Sequence, residues 1–408
     1  MMHLAEKIRR AGGNVYLVGG AVRDKLMGLE AKDRDYCVTG ISAEEFSRLF
    51  PEAILTGKDF PVFRLGGEEY ALARTERKTG RGYKGFQVYS SPEVTIEEDM
   101  KRRDLTINAI AIEVATGEVV DPFGGVEDLR RGVIRAVSEA FREDPLRVYR
   151  AARFAARFGF SIDPGTMEMM RGMKAELPAL TPERVGLEVL KAIETENPSI
   201  FFRVLAEADV LDVHFPELAA LIGIPQPAEH HPEGDAFEHS MQVLEAMTQM
   251  TKDPVLRWVA VVHDVGKGVT PKELWPKHHG HEKAGVPLVE ALGRRLKLPK
   301  RFTRAAKVGA AEHMRAFRIG EMRPGKAVRF LERIKKATLG IEGLAMLVVA
   351  DHRGRNNPDA AVPEAGELVR MADIIFSITG EDINAKPGPG FAEKLTQART
   401  RKLMAYRA

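Results

Sequence analysis

The sequence predicts an α+β fold, with an α/β head that contains a mixed sheet and precedes three helical segments. Up to about residue 140, short runs of β-type residues such as "NVYLVGG" and "DYCVTG" alternate with turns. From "EDPLRVYRAARFAARFGF" onward, apolar residues recur at helical spacing. Pro- and Gly-rich breaks at "IGIPQPAEHHPEGDA" and "INAKPGPG" divide the helical part. We therefore predict a head at 1–140, a neck at 141–225, a histidine-rich domain at 226–354 and a tail at 355–408.

Composition limits the classes of partner. A chain of 408 residues with a net charge of +3 is close to neutral, so affinity for nucleic acid must come from local patches. The single cysteine, Cys37, excludes a disulfide framework and suits a reducing compartment. The segment "MMHLAEKIRR" lacks the apolar core of a signal peptide, and no apolar run approaches membrane-spanning length. We expect a cytoplasmic monomer or homodimer without a membrane partner.

The first candidate site combines a glycine turn with two acidic residues. Gly19 and Gly20 end a predicted strand and lead into a helix, where backbone N–H groups can face an anion. Arg23 lies on the first turn of that helix, within reach of a phosphate. Asp33 and Asp35 follow, and two carboxylates at this spacing can bridge paired Mg²⁺ ions for phosphoryl chemistry. A solvated turn with surface ion pairs is the alternative interpretation.

Further arginines follow in "KRRDLTINAIAI". Arg102 and Arg103 precede Asp104, which we expect to cap a short helix. The two guanidinium groups are placed to contact a triphosphate or the 3′ end of an acceptor strand. For this segment alone, a charged helix start is the simpler interpretation.

A stripe of arginines marks the start of the neck. Asp144 precedes a predicted helix on which Arg147, Arg150, Arg153 and Arg157 share one face, roughly a third of the circumference. An aspartate and an arginine together offer an acceptor and a bidentate donor, which can pair with the hydrogen-bonding edge of a base. A salt-bridged surface stripe is the alternative.

Nine of the eleven histidines fall between residues 230 and 352, which indicates a metal or phosphate site in one domain. His263 and Asp264 follow an apolar helix in "VAVVHDVGKG", and His239 and Asp351 complete an ordered set. Imidazole and carboxylate ligands suit a transition metal such as Ni²⁺, Co²⁺ or Mn²⁺ better than Mg²⁺.

Other histidines nearby are harder to interpret. His281 and His313 would extend the ligand set toward a second metal, but a surface position for His281 fits the sequence nearly as well. His278 and His279 are expected to face solvent. The stretch "KELWPKHHGHEKAG" places lysines beside Trp275, a pattern that suits an RNA surface and a solvated loop equally.

Six motifs occur in an order that resembles the class II CCA-adding tRNA nucleotidyltransferases: "LVGGAVRD", "KDRD", "EEYALARTERKTGRGYKGF", "RRDLTINAIA", "DPFGGVEDL" and "EDPLRVYRAARFAARFGF". The resemblance covers roughly the first 225 residues. The histidine-rich segment is similar to the HD phosphohydrolase domain of the multifunctional bacterial members. The resemblance implies addition of CCA to tRNA from CTP and ATP without a nucleic-acid template. For the HD domain it implies phosphatase, 2′-nucleotidase and 2′,3′-cyclic phosphodiesterase activities.

The resemblance also implies roles for individual residues. Mg²⁺ would be bound by Asp33 and Asp35, the catalytic pair. The nucleoside triphosphate would contact Gly20, Arg23 and Arg103. The cytosine or adenine edge would be read by Asp144 and Arg147, with Arg150 nearby. The HD metal, Ni²⁺ or another transition metal, would be held by His239, His263, Asp264 and Asp351. The segment "RTERKTGRGYKG" resembles the flexible element that switches such enzymes from CTP to ATP.

Four other functions remain open from the sequence. The runner-up is a bacterial poly(A) polymerase built on the same head and neck, although the histidine set and the short basic tail oppose it. An RNA-binding module with an inactive head conflicts with intact Asp33 and Asp35. The others are an HD-centred signalling phosphohydrolase and an HD domain that has lost hydrolysis and only binds tRNA.

Overall fold

The computed structural model describes residues 2–30, 33–56, 61–78, 86–229, 231–384 and 388–408. It confirms the predicted α+β fold. The chain divides into two compact units, Met1–Leu180 and Thr181–Ala408. The first unit thus includes the helices of the predicted neck as far as Leu180. The secondary-structure elements described in the second unit are all helices.

The strands all belong to the first unit. They are Asn14–Val18 (β1), Asp35–Thr39 (β2), Ile54–Thr56 (β3), Val62–Leu65 (β4), Glu68–Leu72 (β5), Arg74–Lys78 (β6), Phe86–Ser90 (β7), Ala111–Glu113 (β8), Val119–Val120 (β9), Val133–Ile134 (β10) and Ser161–Ile162 (β11). Seven of them form a sheet in the order β3-β4-β5-β2-β1-β8-β9. β2 and β5 run parallel and the other neighbours antiparallel, so the sheet is mixed as predicted.

The register of β1 and β2 positions the head site. Val18 pairs with Asp35, so the end of β1 and the start of β2 meet at one edge of the sheet. After Asp35, the side chains of β2 are buried. Tyr36 stacks on Tyr70 of β5 with ring centroids 5.1 Å apart, which fixes the strands between the apolar layers. Asp35 therefore stands on a rigid strand at the border between core and solvent.

The predicted strand "DYCVTG" is confirmed, because β2 begins at Asp35 and Asp33 precedes it. One local expectation differs from the structure. The segment 74–88, expected as a loop, contains the antiparallel hairpin strands β6 and β7, in which Arg74 pairs with Ser90. β-branched and aromatic residues such as Val88 favour these strands despite the surrounding charges. Residues 79–85 of the expected switching element lie outside the described residues.

The helices of the first unit are Met2–Arg10 (α1), Gly20–Leu26 (α2), Ala43–Leu49 (α3), Ile96–Lys101 (α4), Gly125–Arg131 (α5), Leu146–Phe158 (α6) and Pro164–Gly172 (α7). A capping box between Thr95 and Glu98 starts α4. Asp104 does not cap the short 3₁₀ helix Thr106–Asn108 as expected, because Leu105 takes that position and Asp104 accepts its N–H. Asp104 is thereby free to bind arginines.

The second unit contains the helices Pro182–Ile193 (α8), Pro198–Glu207 (α9), Leu211–His214 (α10), Pro216–Ala219 (α11), Ala236–Met250 (α12), Pro254–Val262 (α13), His281–Arg295 (α14), Lys300–Phe317 (α15), Pro324–Lys335 (α16), Gly340–Arg353 (α17), Pro363–Phe376 (α18) and Phe391–Arg407 (α19). Gly266 lies so close to the start of α14 that a Cβ there would come within 2.0 Å of the His281 carbonyl oxygen. This contact brings the turn after α13 against α14. None of the helices in the described ranges is long and apolar enough to span a bilayer.

Candidate functional sites

The head site lies where β1 ends and α2 begins. Gly19 has a φ of +68°, a conformation that glycine adopts without strain. A Cβ at this position would lie 3.2 Å from a terminal guanidinium nitrogen of Arg103. The glycine therefore allows Arg103 to approach the backbone beside Gly20, next to Asp35 at the same sheet edge. The structure thus brings together predicted metal-binding and triphosphate-binding residues from three separate motifs.

A cavity of about 310 Å³ opens at this edge. Asp35, Glu69 and Asp99 supply its carboxylates, while Arg74, Arg102 and Arg103 supply its guanidinium groups. Such a division of charge suits a triphosphate accompanied by divalent cations, because arginines bind phosphate oxygens and carboxylates bind the metal. Asp33 is exposed and stands just before the strand that carries Asp35.

The Asp35 carboxylate is electrostatically strained. Burial raises the pKa of Asp35, and the nearby charges of Glu69 and Asp33 raise it further, against an opposing effect of Arg103. Carboxylates that repel one another in this way are relieved by a divalent cation. The oxygen-only donor set and its mutual repulsion therefore fit Mg²⁺.

Asp99 is a functional candidate that sequence reasoning missed. It is 1% exposed, and its two oxygens accept hydrogen bonds from Arg102 at 2.6 Å and Arg103 at 3.0 Å. Burial alone would raise its pKa, but the two guanidinium groups hold the pKa of Asp99 below its usual value. The sequence did contain an indication of this role, because an acidic residue three and four positions before two arginines can contact both on a helical turn. Asp99 thus orients both arginines at the cavity wall.

Arg23 is held in the interior of the first unit. Arg23 is 3% exposed. Its guanidinium group donates hydrogen bonds to Asp24 at 2.7 Å and to Asn108 at 2.5 Å. It also packs on the rings of Phe154 and Phe158 of α6. In this structure Arg23 faces these partners and does not line the cavity that contains Asp35.

The start of α6 adjoins the segment that carries Arg103. Arg147 donates to the carbonyl oxygens of Arg102 at 2.6 Å and Ala140 at 2.8 Å. Arg150 donates to the buried carboxylate of Asp104 at 2.8 Å. These contacts tie the predicted base-reading residues to the predicted triphosphate-binding residues.

Asp144 accepts the N–H of Leu146 at 3.0 Å and so orients the first turn of α6.

Burial favours a raised pKa for Asp104, but the Arg150 guanidinium holds the pKa of that carboxyl below its usual range. The ionised Asp104 can therefore anchor Arg150 close to Asp144 and Arg147.

The second candidate site lies within the helices of the second unit. It is a buried cluster of six side chains, which we call the HD cluster. His239 comes from the first turn of α12, His263 and Asp264 from the end of α13, and the remaining members from α14, α15 and α17. The members of the HD cluster are His239, His263, Asp264, His281, His313 and Asp351.

The distances within the HD cluster divide it into two halves around Asp264. One carboxylate oxygen, Oδ2, lies 3.3 Å from His263 Nε2 and 3.7 Å from His239 Nε2. The other oxygen, Oδ1, lies 3.2 Å from His281 Nε2 and 3.4 Å from His313 Nε2. Ligand atoms of each half lie within 4.8 Å of one another. His239 and His263 with Asp264, and His281 and His313 with the same Asp264, would each be able to hold a metal ion.

The four histidines all present the same nitrogen to the centre. Nδ1 contacts an oxygen acceptor in each case: Glu233 Oε1 for His239, and a backbone carbonyl for the others, namely Ala260 for His263, His278 for His281 and Gly309 for His313. A carbonyl oxygen or an ionised carboxylate can only accept, so Nδ1 of each ring carries the proton and the neutral ring keeps its lone pair on Nε2. Lys267 and Arg355 pair with the carboxylates of Asp264 and Asp351, but they leave the four Nε2 lone pairs facing the centre, where a metal ion would be their partner.

Buried polar atoms without hydrogen-bond partners also indicate a metal site in the HD cluster. Among the described residues, the buried atoms His239 Nε2, His263 Nε2 and Asp264 Oδ1 have no hydrogen-bond partner. Leaving such buried polar atoms unsatisfied costs roughly 1–3 kcal/mol each. Nitrogen and oxygen donors in a mixed set fit a transition metal. The residues therefore fit the metal that the sequence implied.

Glu233 and His231, which sequence reasoning did not single out, orient His239. Glu233 is buried, and its Oε1 lies 2.7 Å from His239 Nδ1 and 2.8 Å from His231 Nδ1. Burial favours a higher pKa for Glu233, but the two histidine hydrogen bonds lower it to about 2, so the group is ionised at neutral pH. The signal was "HPEGDAFEH", in which a carboxylate and an imidazole precede the first ligand within one turn-helix segment.

The structure also corrects one expectation and resolves another. His278, expected to face solvent, is 1% exposed, because its ring bonds to Thr270 at 2.6 Å and to the Pro225 carbonyl at 2.8 Å. His281 is buried in the HD cluster and does not lie on the surface. His279 is exposed, in line with the expectation. The lysines around His278 and His281 made both rings look solvent-exposed in the sequence, although both are buried.

Comparison with known proteins identifies the family of the chain. The model of the poly(A) polymerase head domain matches residues 15–135, that of a probable RNA-binding site of polymerase A matches 159–222, and that of the HD domain matches 236–362. A multifunctional CCA protein of Nitrosococcus oceani is 44% identical over 398 residues, covering 95% of this chain and 97% of its own length. A second, from Stenotrophomonas maltophilia, is also 44% identical and is covered over 100% of its length.

A solved structure extends the agreement to the fold. The Thermotoga maritima CCA-adding enzyme complexed with tRNA superposes with a TM-score of 0.65 at 22% identity, covering 98% of this chain and 90% of that one. Together, the head and the helical remainder define a nucleotidyltransferase that carries an HD domain. More narrowly, the chain belongs to the family of multifunctional CCA proteins. This confirms the resemblance and the enzyme class inferred from the six motifs.

Proposed function

We propose that the chain adds and repairs the 3′-terminal CCA of tRNA from CTP and ATP, without a nucleic-acid template. The observation that carries the proposal is the head cavity, which is lined by both carboxylates and three arginines. Two relatives are multifunctional CCA proteins, and one structural neighbour is a CCA-adding enzyme in complex with tRNA. A protein with these partners would act in the cytoplasm.

In this proposal, Asp33 and Asp35 hold Mg²⁺ and Arg103 binds the triphosphate beside the Gly20 backbone. Bound Mg²⁺ would lower the pKa of the attacking 3′-hydroxyl and neutralise the pyrophosphate that leaves. Asp99 keeps Arg103 in place through the 3.0 Å hydrogen bond. Arg23, the remaining predicted contact, would have to release Asn108 before it could reach a phosphate.

Base selection would fall to Asp144 and Arg147, with Arg150 beside them. An acceptor and a bidentate donor can match the edge of cytosine or adenine. Arg147 donates to the carbonyl oxygens of Arg102 and Ala140. To pair with a base edge it would exchange these hydrogen bonds for bonds to the base, while Arg150 is anchored by the ionised Asp104.

The experiment incubates the purified protein with tRNA lacking its 3′ end and each of four labelled triphosphates. We expect incorporation from CTP and ATP only, ending after three nucleotides. An unlimited adenosine ladder on any RNA would identify a poly(A) polymerase instead. An Arg147→Ala variant should lose selectivity among the four triphosphates more than it loses triphosphate binding.

For the HD domain, we propose metal-dependent hydrolysis of phosphate monoesters and cyclic phosphodiesters of nucleotides, including 2′-nucleotides and 2′,3′-cyclic phosphates. Four imidazole lone pairs and two carboxylates converge there with no hydrogen-bond donor to satisfy the unpaired atoms described above. A transition metal such as Ni²⁺ would activate the attacking water and polarise the phosphate. Water then adds to phosphorus, the ester P–O bond breaks, and a proton passes to the departing ribose oxygen.

Lys267 is the residue of this chain best placed to assist that step. Its Nζ lies 2.5 Å from Asp264 Oδ2 and 2.6 Å from Gln226. A cation in this position stabilises negative charge on the phosphate group. Hydrolysis of 2′,3′-cyclic AMP by metal-free protein reloaded with Ni²⁺, Co²⁺, Mn²⁺ or Mg²⁺ tests the assignment. Activity with Mg²⁺ alone would contradict the transition-metal preference.

A further inference from the structure

A basic groove lies beside the HD cluster, and neither proposed activity explains it. It has a volume of about 570 Å³ and lies between the segment before α14, the end of α15 and the start of α16. Its acidic side chains are Glu282 and Glu321. Its cationic side chains are Lys277, Arg315, Arg318, Arg323 and Lys326. The groove thus concentrates a net of three positive charges, as many as the whole chain of 408 residues carries.

Most of these cations have no counter-ion. Arg315 pairs with Glu312 at 3.0 Å. Among the described residues, Lys277, Arg318, Arg323 and Lys326 lie in no ion pair within 4.0 Å, and all four are exposed. Like charges gathered in one concavity repel one another and raise the local concentration of anions. The groove is therefore suited to a ligand with several negative charges.

The groove leads to the HD cluster through His281. This residue lines the groove, and its Nε2 lies 3.2 Å from Asp264 Oδ1. The other residues of the cluster are nearly inaccessible, with His239 and Asp351 at 0% and 2% exposure. His278, fixed by its two hydrogen bonds, forms the adjacent wall. A ligand in the groove can thus place one end at His281.

We propose that the groove binds the phosphate backbone of a single-stranded RNA end whose terminal phosphate ester is hydrolysed at the HD cluster. This inference rests on the proposed hydrolase activity. The cations come from three chain segments, which suits successive phosphates better than the single phosphate of a mononucleotide. The apolar lining consists of Met314 and Met322, and no tryptophan, tyrosine or phenylalanine lines the groove. Contacts from its cations to the phosphates do not depend on the bases, so we expect recognition to be largely independent of sequence.

The test compares two substrates of the same chemistry: 2′,3′-cyclic AMP and a six-nucleotide RNA that ends in a 2′,3′-cyclic phosphate. The groove variant is Arg318→Gln/Lys326→Gln. The matched control is Lys300→Gln/Arg304→Gln, which removes the same charge from exposed positions at the other end of α15. Thermal unfolding and CCA addition verify that both variants are folded. Each kcat/KM is measured across a salt series.

For the wild type, we expect kcat/KM for the RNA to fall steeply with salt and that for the mononucleotide to change little. The groove variant should lose roughly tenfold on the RNA at low salt, with a salt slope smaller by about 1.4, or ~0.7 for each lost phosphate contact. Its mononucleotide kcat/KM should stay within threefold, and the control should match the wild type on both substrates.

Three results would overturn the inference in different ways. Unchanged RNA hydrolysis by the groove variant would show that the groove does not hold the strand. An equal loss on both substrates would assign the groove to a mononucleotide phosphate. Absence of hydrolysis of either substrate by metal-loaded wild-type protein would remove the hydrolase function itself and the inference with it.

Discussion

The two sites differ in how far the protein organises them before a ligand arrives. In the HD cluster, every histidine is fixed through Nδ1 and every Nε2 points to the centre. In the head, Arg23, Arg147 and Arg150 are engaged by internal carbonyls, amides and carboxylates. Under the proposed function, the buried cluster would bind a small ion at set distances. The arginines of the head site would exchange their internal partners for a larger and variable ligand.

This contrast follows from what each site must bind. A metal ion requires ligand atoms at set distances, so rigid imidazoles held by second contacts serve it best. A nucleotide that is cytidine in one step and adenosine in another requires donors that can shift. Under the proposed function, Arg147 would exchange its hydrogen bonds to the carbonyl oxygens of Arg102 and Ala140 for bonds to either base.

The largest effect is expected from removing the head carboxylates. Asp35→Ala or Asp33→Ala should reduce CCA addition by roughly a thousandfold or more, because the metal loses an oxygen ligand at the reacting phosphate. Hydrolysis of 2′,3′-cyclic AMP should remain at the wild-type rate. Incorporation of labelled CTP into tRNA lacking CCA measures the loss, with Glu52→Ala as an exposed acidic control in the same unit. Normal addition by Asp35→Ala would remove the metal assignment.

An equally selective but opposite loss is expected in the HD cluster. Asp264→Asn should abolish hydrolysis, because one carboxylate faces both halves of the cluster. Bound transition metal, counted by elemental analysis of the dialysed protein, should fall in parallel. CCA addition by the same preparation should be unchanged. If addition is also lost, the two sites depend on each other.

An intermediate effect is expected at Glu233, which acts only through His239. Glu233→Gln replaces a charged acceptor by a neutral one and should weaken metal affinity roughly 10–100-fold. A purely structural role would lower the melting temperature without this change in affinity. Metal titration of the apoprotein gives the affinity, and saturating metal should restore most of the hydrolysis. Glu273→Gln, an exposed position in the same unit, serves as the control.

The smallest effect is expected at Asp99. Asp99→Asn removes the charge that orients Arg102 and Arg103, yet leaves both guanidinium groups in the cavity. The KM for CTP should rise about fivefold to tenfold, equivalent to roughly 1–1.4 kcal/mol, while kcat changes less. Steady-state addition kinetics provide both constants. A fall in kcat with unchanged KM would show that Asp99 serves the chemical step and not triphosphate binding.

The sequence predicted the parts of the molecule that depend on local pattern. The strand before Gly19, the helix after Asp144 and the ordered histidine set all follow from periodicity, turn residues and spacing. It could not predict which polar groups pair across long separations. Arg23 with Asn108 and Arg150 with Asp104 are separated by 85 and 46 residues, so no local signal reveals them.

The burial of individual polar side chains could not be predicted from the sequence either. His278 lies in a basic stretch that is typical of a solvated loop, but its ring fills a polar site between Thr270 and the Pro225 carbonyl. Glu233 has the residue type of a surface acid and becomes buried only because two histidines supply its hydrogen bonds. Both cases depend on tertiary partners that no window of sequence contains.

The decisive measurement is a crystal structure of the protein soaked with CTP and Mn²⁺, with the metal located by anomalous scattering. We predict one set of peaks beside Asp33 and Asp35 against the triphosphate, and another inside the HD cluster between Asp264 and the four Nε2 atoms. Arg103 should contact the triphosphate and Arg147 the cytosine edge. A triphosphate bound elsewhere, with Asp35 facing bulk solvent and no peak near it, would contradict the proposed head site.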